Sequence, residues 1–504
     1  GNFEQLINTS IALMNSSSCH HRLTCISCNM LMMLSSMSSM HPKIVSQEGV
    51  DAIVHAMDNH TDDVHIQQRC CAIVANLVSE IDALSQTNFR GLVRFVILAA
   101  SNHPDNLRVQ EHACIALSKF LSHGLAIKII ISTSVINLVL KAMRNHTESS
   151  CLCHEACRYL IVLCKNKTTN VSKLMSPILD LMANNRIHKE NQESFCTMMA
   201  FLASYEHLRS EIIALEGAVV LTSSMKEHIK NPIIQKMGCL ALRNLSMNEM
   251  ALESESILSN VVEAILNAMI AHEGCTDIQA EACGAIWSIS ANSESGGDKI
   301  NHVNAVKYIV IAIQRHSDVR LLEQASGALW RLSIFNPNIK AICAKDDWIR
   351  VLFQGMSKNS NSLVFLENAC GLLSTLSTNV ECSSVIYSQG GINVIVETME
   401  AHLKAVDIQQ YCCLTIRNMA AGSQEIASAL TRSVKSIINA MKHHDLIITV
   451  QQEGCGALWS ISVNGDENKE FVTSAGGIDV VLDAMDERKD ALGGEDAFGA
   501  FTEL

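Results

Sequence analysis

The sequence is poor in aromatic residues and in proline. Phe, Trp and Tyr together make up 4% of the 504 residues and Pro occurs 5 times, whereas apolar residues make up 48%. A large core must therefore be built from aliphatic side chains, Met and Cys, and few positions interrupt a helix. This composition favours packed helices. With only 24 Gly as well, no stretch resembles a linker, which favours one continuous architecture over several separate domains.

Basic residues are also scarce relative to acidic ones. The chain has 38 Lys plus Arg against 51 Asp plus Glu, a net charge of -13. Binding to a phosphate backbone needs the opposite sign, so nucleic acid is excluded as the main ligand. No run of about 18 uninterrupted apolar residues occurs, since the nearest candidate, 124–140, contains Lys128 and a Ser-Thr-Ser cluster. We therefore expect no membrane span.

Cysteine is too dilute for a disulfide scaffold. The chain has 20 Cys, well below the roughly 8–10% of small disulfide-rich proteins, and no signal peptide opens the sequence. We expect reduced thiols and a cytoplasmic location, with nuclear or cytoskeletal association left open.

Sequence motifs of catalysis are missing too. The chain contains no GxxxxGK[ST] loop, no GxSxG elbow, no HExxH and no GxGxxG between a strand and a helix. These motifs carry phosphate binding, nucleophilic attack, zinc hydrolysis and dinucleotide binding, respectively. We expect neither an enzyme nor a cofactor.

The sequence does contain one pattern that recurs about every 43 residues. Segments similar to CLALRNLSMN at Cys239 are found along the whole chain, and we call the first residue of each the anchor. The anchors are Cys28, Cys71, Cys114, Cys157, Cys196, Cys239, Cys283, Ser326, Cys370, Cys413, Cys455 and Phe498. A fixed period of this length indicates a repeat architecture, here of twelve units.

Two further ladders keep the same register. A Met lies 14 residues before most anchors, as Met57 does before Cys71, and a His follows three residues later in eight units. These histidines are His60, His103, His146, His228, His272, His316, His402 and His444. At helix core spacing, the Cys and Met ladders predict buried packing. The His ladder predicts caps at the carboxyl ends of helices, with a collective pH response as the alternative.

Each unit is predicted to contain three helices. In residues 474–485 a Gly pair precedes Ile478, Val481, Leu482 and Met485, a spacing typical of an amphipathic second helix. In each unit a polar turn follows the second helix and leads into a third helix, for which residues 450–465 of the preceding unit are an example. A short first helix precedes the Gly pair. The turn from first to second helix is marked by Gly49, Gly217, Gly390 and Gly476.

The third-helix segments resemble the armadillo repeat. Residues 241–246 read ALRNLS and match the ALxNLS pattern of that family, and 74–77 and 415–419 are close variants. The resemblance covers essentially the whole chain and implies an all-α, right-handed armadillo-like solenoid of about twelve repeats, one continuous domain over 1–504. Armadillo proteins are mostly interaction scaffolds, so it also implies a non-catalytic scaffold or adaptor with a protein or peptide partner.

Two irregularities lead to further expectations. The sequence starts inside a second helix and stops inside a third, which leads us to expect a fragment of a longer chain. The step between the anchors Cys157 and Cys196 is 39 residues rather than 43. Because the loss amounts to about one helical turn, we expect an irregular junction near 164–175.

The resemblance also indicates where a partner would bind. In this family the third helices line a concave groove, and the residue five after the anchor faces it. An Asn there holds the backbone of an extended peptide in importin-α and β-catenin, because its amide both donates and accepts. The candidate groove contacts here are Asn76, Lys119, Asn244, Arg331 and Asn418, with Arg243 and Arg417 one residue before that position. The cations among them suit an acidic partner.

The first alternative function is a transport receptor or a chaperone-type cofactor that grips client peptides. The importins place a Trp four residues before the groove Asn, whereas this chain has Ala72, Leu240 and Leu414 there. Its own Trp287, Trp330 and Trp459 lie one residue before position five, which favours packing between repeats over contact with a ligand.

The second alternative is a thiol- or zinc-dependent sensor. Four potential zinc ligands, Cys19, His21, Cys25 and Cys28, lie within ten residues. Because stacked helices are roughly 8–10 Å apart, we expect the Cys of successive repeats to be too distant for a disulfide. The sequence therefore favours buried thiols over a redox or metal site.

Overall fold

The computed structural model describes residues 2–15, 21–45, 47–78, 86–124, 127–165, 172–247, 254–291, 302–335 and 348–486. Throughout these ranges the regular structure is helical, and no strand occurs in them. The chain divides into two compact units, Gly1–His228 and Ile229–Leu504. The predicted all-α fold is confirmed.

The first unit contains five third helices, which lie side by side, and six second helices in a parallel layer. The third helices are α2, α5, α7, α10 and α12. In chain order the helices are α1 (Asn2–Asn15), α2 (His21–Ser35), α3 (His41–Ile44), α4 (Gln47–Asn59), α5 (Val64–Leu77), α6 (Gln86–Asn102), α7 (Leu107–Ser122), α8 (Ile127–Ile130), α9 (Thr133–Asn145), α10 (Ser150–Lys165), α11 (Ser172–Asn184), α12 (Lys189–Ala203), α13 (Glu206–Ala214) and α14 (Gly217–Glu227).

The second unit repeats this arrangement with six described third helices, α15, α17, α19, α21, α24 and α27. In chain order its helices are α15 (Pro232–Leu245), α16 (Glu255–Ala271), α17 (Thr276–Ala291), α18 (His302–Arg315), α19 (Val319–Phe335), α20 (Trp348–Lys358), α21 (Leu363–Leu376), α22 (Val380–Ser388), α23 (Gly391–Ala401), α24 (Val406–Gly422), α25 (Gln424–Leu430), α26 (Val434–His443), α27 (Ile448–Ser462), α28 (Asp466–Ser474) and α29 (Gly477–Asp486).

Two sequence predictions fall outside the described residues. The last anchor, Phe498, lies beyond 486, and half of the expected irregular junction, 164–175, falls in 166–171. The other eleven anchors are in third helices, in the order that the period predicts. Among the described residues no single helix is long and apolar enough to cross a membrane. Two consecutive segments, His21–Ser35 and Ser38–Ile44, reach the length and hydropathy of a membrane span only when they are counted together, and the chain bends by 116° between them.

The anchor cysteines form the centre of the core, as predicted. Every anchor Cys in the described part of the chain is buried, and none of the described cysteines forms a disulfide. Burial raises the pKa of Cys71, Cys114, Cys196, Cys239 and Cys283 to about 12, because a thiolate loses its hydration there.

Thiols of successive repeats come into contact at two places, although neither pair forms a disulfide. The Cys28 Sγ lies 3.7 Å from the Cys70 Sγ, and the Cys370 Sγ lies 3.6 Å from the Cys412 Sγ. In each pair the second Cys directly precedes an anchor. That residue faces the preceding repeat, so helix spacing alone did not predict the approach.

The turn into the second helix requires an unusual backbone conformation. Gly390 and Gly476, which the sequence predicted to mark this turn, have φ of 83° and 93°, in the left-handed region that favours Gly. In the corresponding turn of the first unit the left-handed residue is Glu216, with φ of 57°, and Gly217 follows it. A Cβ on Gly217 would lie 2.4 Å from the Ile212 Cγ2, so this Gly is needed for close packing rather than for its φ.

The histidine ladder joins neighbouring repeats. His103 Nε2 donates to the Thr61 carbonyl at 2.8 Å, and His272 Nε2 donates to the Ile229 carbonyl at 2.8 Å. His146, His228, His316 and His444 make the same bond to the turn of the repeat before. A carbonyl only accepts, so Nε2 carries the proton in each. These histidines have a structural role, but the predicted cap on the carboxyl end of their own helix is wrong, because the acceptor is a turn carbonyl of the preceding repeat.

A glutamine ladder, which the sequence analysis missed, joins the helices within six of the repeats. Gln279 Nε2 donates to the carbonyls of Met269 at 2.8 Å and of His272 at 3.0 Å. Gln67, Gln110, Gln192, Gln409 and Gln451 make the equivalent pair of bonds. Each Gln is buried and lies four residues before its anchor, a recurrence that the sequence contains. These bonds satisfy carbonyls that a helix end leaves free.

Candidate functional site

In each unit, the side of the stacked third helices that bears the residues one, four, five and eight after each anchor is the candidate site, and we call it the third-helix face of that unit. The seven predicted contacts are half-buried there, in both units. In the first unit Asn76 Nδ2 donates to the Ser35 Oγ at 3.0 Å, and Lys119 Nζ donates to the Ala75 carbonyl at 2.7 Å. Burial lowers the pKa of the Lys119 ammonium. The side chains five residues after the anchor therefore bond to the preceding repeat.

The second unit shows the same reach. Asn418 Nδ2 donates to the Ser374 carbonyl at 3.1 Å and to the Ser377 Oγ at 3.2 Å. Arg331 Nη2 donates to the Ala291 carbonyl at 3.3 Å. Asn244 is half-buried at the same position of α15. One bond orients the Asn76 amide and two bonds orient the Asn418 amide. No described residue bonds to the Oδ1 of either, which leaves an acceptor for a partner N–H.

Arg243 and Arg417 are held by carboxylates of the next repeat. Arg243 Nη1 lies 3.4 Å from the Glu281 Oε2, and Arg417 Nη1 lies 3.2 Å from the Glu453 Oε2. Glu281 is only 2% exposed and also pairs with Arg320. Burial lowers the pKa of the Arg243 guanidinium. These two arginines therefore join repeats, and the cations predicted for an acidic partner are largely committed within the protein.

Flat side chains at position four pack on glycines of the next repeat. A Cβ on Gly327 would lie 2.7 Å from the Trp287 Cδ2, and a Cβ on Gly371 would lie 2.6 Å from the Trp330 Cε2. The Arg417 side chain lies on Gly456 in the same way. The predicted packing role of Trp287 and Trp330 is confirmed. The glycines one residue after the anchors, at Gly284, Gly327, Gly371 and Gly456, were a signal in the sequence that was not used.

Apolar side chains remain exposed on the third-helix face. Phe201 lies five residues after its anchor, and Ile334 and Val463 lie eight residues after theirs; all three are between 45% and 48% exposed. Lys165 Nζ lies 5.9 Å from the centre of the Phe201 ring, within reach of a cation–π contact. Exposed apolar groups on a helical face that also bears polar amides are typical of a surface that contacts another protein.

The predicted zinc ligands do not converge. Cys19 lies outside the described residues, His21 pairs with Asp63, and Cys25 accepts from Arg69 Nη1 at 2.8 Å. Cys28 is buried beside Cys70. Within the described ranges, no group of three or more His, Cys, Asp or Glu side chains is placed to share a metal ion.

The three-helix unit, its stacking and its third-helix face together define an armadillo-repeat α-solenoid, and the suspected resemblance is confirmed. Residues 220–487 match the LRRK2 ARM repeat family, and the chain belongs to that family.

Other similar proteins agree with this assignment. Armadillo repeat-containing protein 6 of Homo sapiens is 18% identical over 272 residues, which cover 52% of this chain and 48% of that protein. The chain therefore aligns with about half the length of this relative. A structure from work on a phosphorylation switch that controls the interaction between cadherin and β-catenin superimposes with a TM-score of 0.70 at 14% identity, over 99% of this chain and 98% of that one. An engineered protein gives 0.54 at 16% identity, over 100% and 98%. At these identities the structures are evidence for the fold.

Proposed function

We propose that this protein is a non-catalytic scaffold or adaptor that binds a segment of a partner protein along the third-helix face. The observation that carries the proposal is the set of exposed apolar side chains on these third-helix faces, Phe201 in the first unit and Ile334 and Val463 in the second. Packing between repeats does not use these three side chains to the same extent as their buried neighbours, so burying them against a partner would remove apolar surface from water.

The predicted contacts have different parts in this proposal. Asn76 and Asn418 are held through Nδ2, and their Oδ1 atoms can accept from the backbone of an extended segment. Asn244, Lys119 and Arg331 occupy the same position and remain proposed contacts. Arg243 and Arg417 are proposed to shape the face rather than to supply free cations, because Glu281 and Glu453 already pair with them.

A matched pair of triple variants tests the proposal. The first variant, Phe201→Glu, Ile334→Glu and Val463→Glu, places three carboxylates on the third-helix face. The second, Val219→Glu, Ile270→Glu and Leu482→Glu, makes the same change on second helices, at residues between 37% and 42% exposed. Both variants should stay folded by circular dichroism, since each site is exposed.

Quantitative mass spectrometry of partners captured by each purified protein is the measurement. We expect the first variant to lose partners at least tenfold relative to the wild-type chain, and the second to retain them. Equal capture by both variants would exclude the third-helix face as the binding surface. Loss only in the second variant would assign binding to the second helices.

A further inference from the structure

Two aromatic rings meet across the third-helix face of the second unit. Trp330 on α19 lies over Gly371 on α21, where any Cβ would be 2.6 Å from its ring. Since Gly371 has no side chain, the indole extends across α21 to Tyr411 on α24. The two ring centres are 5.2 Å apart, at an angle of 72°. Three successive repeats thus build one aromatic corner.

Two carboxylates accompany this corner without a cation. Glu367 is half-buried on α21, and Asp407 is exposed at the start of α24. Burial, and then the charge of Asp407, raise the pKa of the Glu367 carboxyl, and the charges of both act on the Tyr411 hydroxyl in addition to its burial. In the described part of the chain no ion pair involves either carboxylate, whereas Glu281 and Glu453 on the same face are paired with arginines.

We propose that Trp330, Glu367, Asp407 and Tyr411 bind one basic side chain, Lys or Arg, of a segment held on the third-helix face. A cation there would offset two like charges that lie close together, and it would lie against the electron-rich faces of aromatic rings. The inference rests on the proposed function and adds the chemistry of the partner to it.

Charge complementarity favours a basic over an acidic segment. The chain carries a net charge of -13, and the arginines Arg243, Arg320 and Arg417 on this face are engaged by Glu281 and Glu453. An acidic segment at this corner would meet two carboxylates that no described cation neutralises, and like charges cost binding free energy.

Fluorescein-labelled decapeptide pools test the site. The pools have degenerate flanks and a fixed central Arg, Lys, citrulline or Glu, and their binding to the purified full chain is measured by fluorescence anisotropy. Citrulline keeps the shape of Arg without its charge. The test variant is Glu367→Gln with Asp407→Asn. The matched control is Glu397→Gln with Asp483→Asn, which removes the same charge from exposed positions of α23 and α29.

We expect the Arg and Lys pools to bind the wild-type chain and the control at least tenfold more tightly than the citrulline and Glu pools. In the test variant this preference should fall below threefold. Binding without preference for a basic centre would overturn the site and leave the proposed function intact. Absence of binding by every pool would also overturn the site, while the capture experiment on the exposed apolar residues decides the proposed function separately.

Discussion

At the scale of single residues, the chain stores conformational strain at one turn. Glu216 adopts the left-handed backbone that Gly390 and Gly476 supply in other repeats. A residue with a Cβ pays a steric cost there that Gly does not. The repeat pattern predicted that Gly217 would be the turn residue, but the left-handed residue is Glu216, one position earlier. Gly217 is needed for packing, because Ile212 leaves no room for a side chain there.

Exchange of residues at this turn should have opposite effects in two repeats. Glu216→Gly should stabilise the protein by about 0.5–1 kcal/mol, because Gly adopts positive φ without strain. Gly390→Ala should destabilise it by about 1 kcal/mol, because Ala is strained at positive φ. The added Cβ would have no atom within 4 Å, so a clash would not contribute to this loss. Urea unfolding followed by circular dichroism measures both. Destabilisation by Glu216→Gly would show that the carboxylate has a compensating role.

The histidine ladder allows a second comparison. His272→Phe removes the bond to the Ile229 carbonyl and should cost about 1–2 kcal/mol, because a carbonyl loses its donor. His402 occupies the same position, but its buried Nε2 has no hydrogen-bond partner in the described part of the chain. His402→Phe should therefore change stability by less than about 0.5 kcal/mol. Thermal unfolding of the two variants decides, and equal losses would refute a role for the bond.

At the scale of helices, pairs of a large and a small residue set how closely repeats stack. Trp287 lies on Gly327 and Trp330 on Gly371, so a ring of one repeat fills the space that a Gly leaves in the next. Such complementarity is a property of two helices together. It fixes the approach of the third helices and hence the third-helix face.

Gly327→Ala should destabilise the second unit by about 1–3 kcal/mol, because its Cβ would overlap a rigid indole ring. Gly91→Ala on α6 is the control. Its nearest atom would be 3.8 Å away, and the gain in helix propensity should stabilise the protein by about 0.5–1 kcal/mol. A double variant, Gly327→Ala with Trp287→Leu, should recover part of the loss. Calorimetry of the four proteins measures these differences, and equal effects of the two single substitutions would contradict the packing argument.

The sequence predicted helices and core well because both follow from a local period. Apolar spacing around Ile478 or Leu242 depends only on residues three or four positions away. The partners of Arg243 could not be predicted in this way, since Glu281 is 38 positions on and its distance depends on how two repeats stack. The same limit applied to the thiols of Cys28 and Cys70. Recurring Gln residues four before the anchors and Gly residues one after them were present in the sequence, and tabulating every column of the repeat would have found them.

At the scale of the whole molecule, the buried thiols make stability depend on alkaline pH. Five anchor thiols have a pKa raised to about 12 by burial. In the unfolded chain the pKa of a Cys thiol is about 8.5. Between these values the unfolded chain releases protons that the folded chain retains. The stabilising contribution is thus complete below about pH 8.5 and decreases as the pH rises, by about 1.4 kcal/mol per unit for each thiol.

We therefore expect the free energy of unfolding to be lower at pH 10 than at pH 8. Cys239→Ala should reduce this difference by about 2 kcal/mol, because one such thiol is removed. Ile286→Val, which also removes core volume but no thiol, should leave the difference unchanged. Urea unfolding at both pH values measures it. An undiminished difference in Cys239→Ala would assign the alkaline sensitivity to other groups.

The bond between six of the ladder histidines and the preceding turn also bears on how such a chain can grow. The acceptor is always a main-chain carbonyl, and the residues that supply it are Thr61, Pro104, Arg186, Ile229, Glu273 and Leu403. Six residue types serve equally, because the carbonyl is the same in all of them. A copied repeat would therefore need no particular side chain in its neighbour to supply the acceptor. Gene duplication could therefore lengthen this protein one unit at a time while the side chains of the third-helix face diverged.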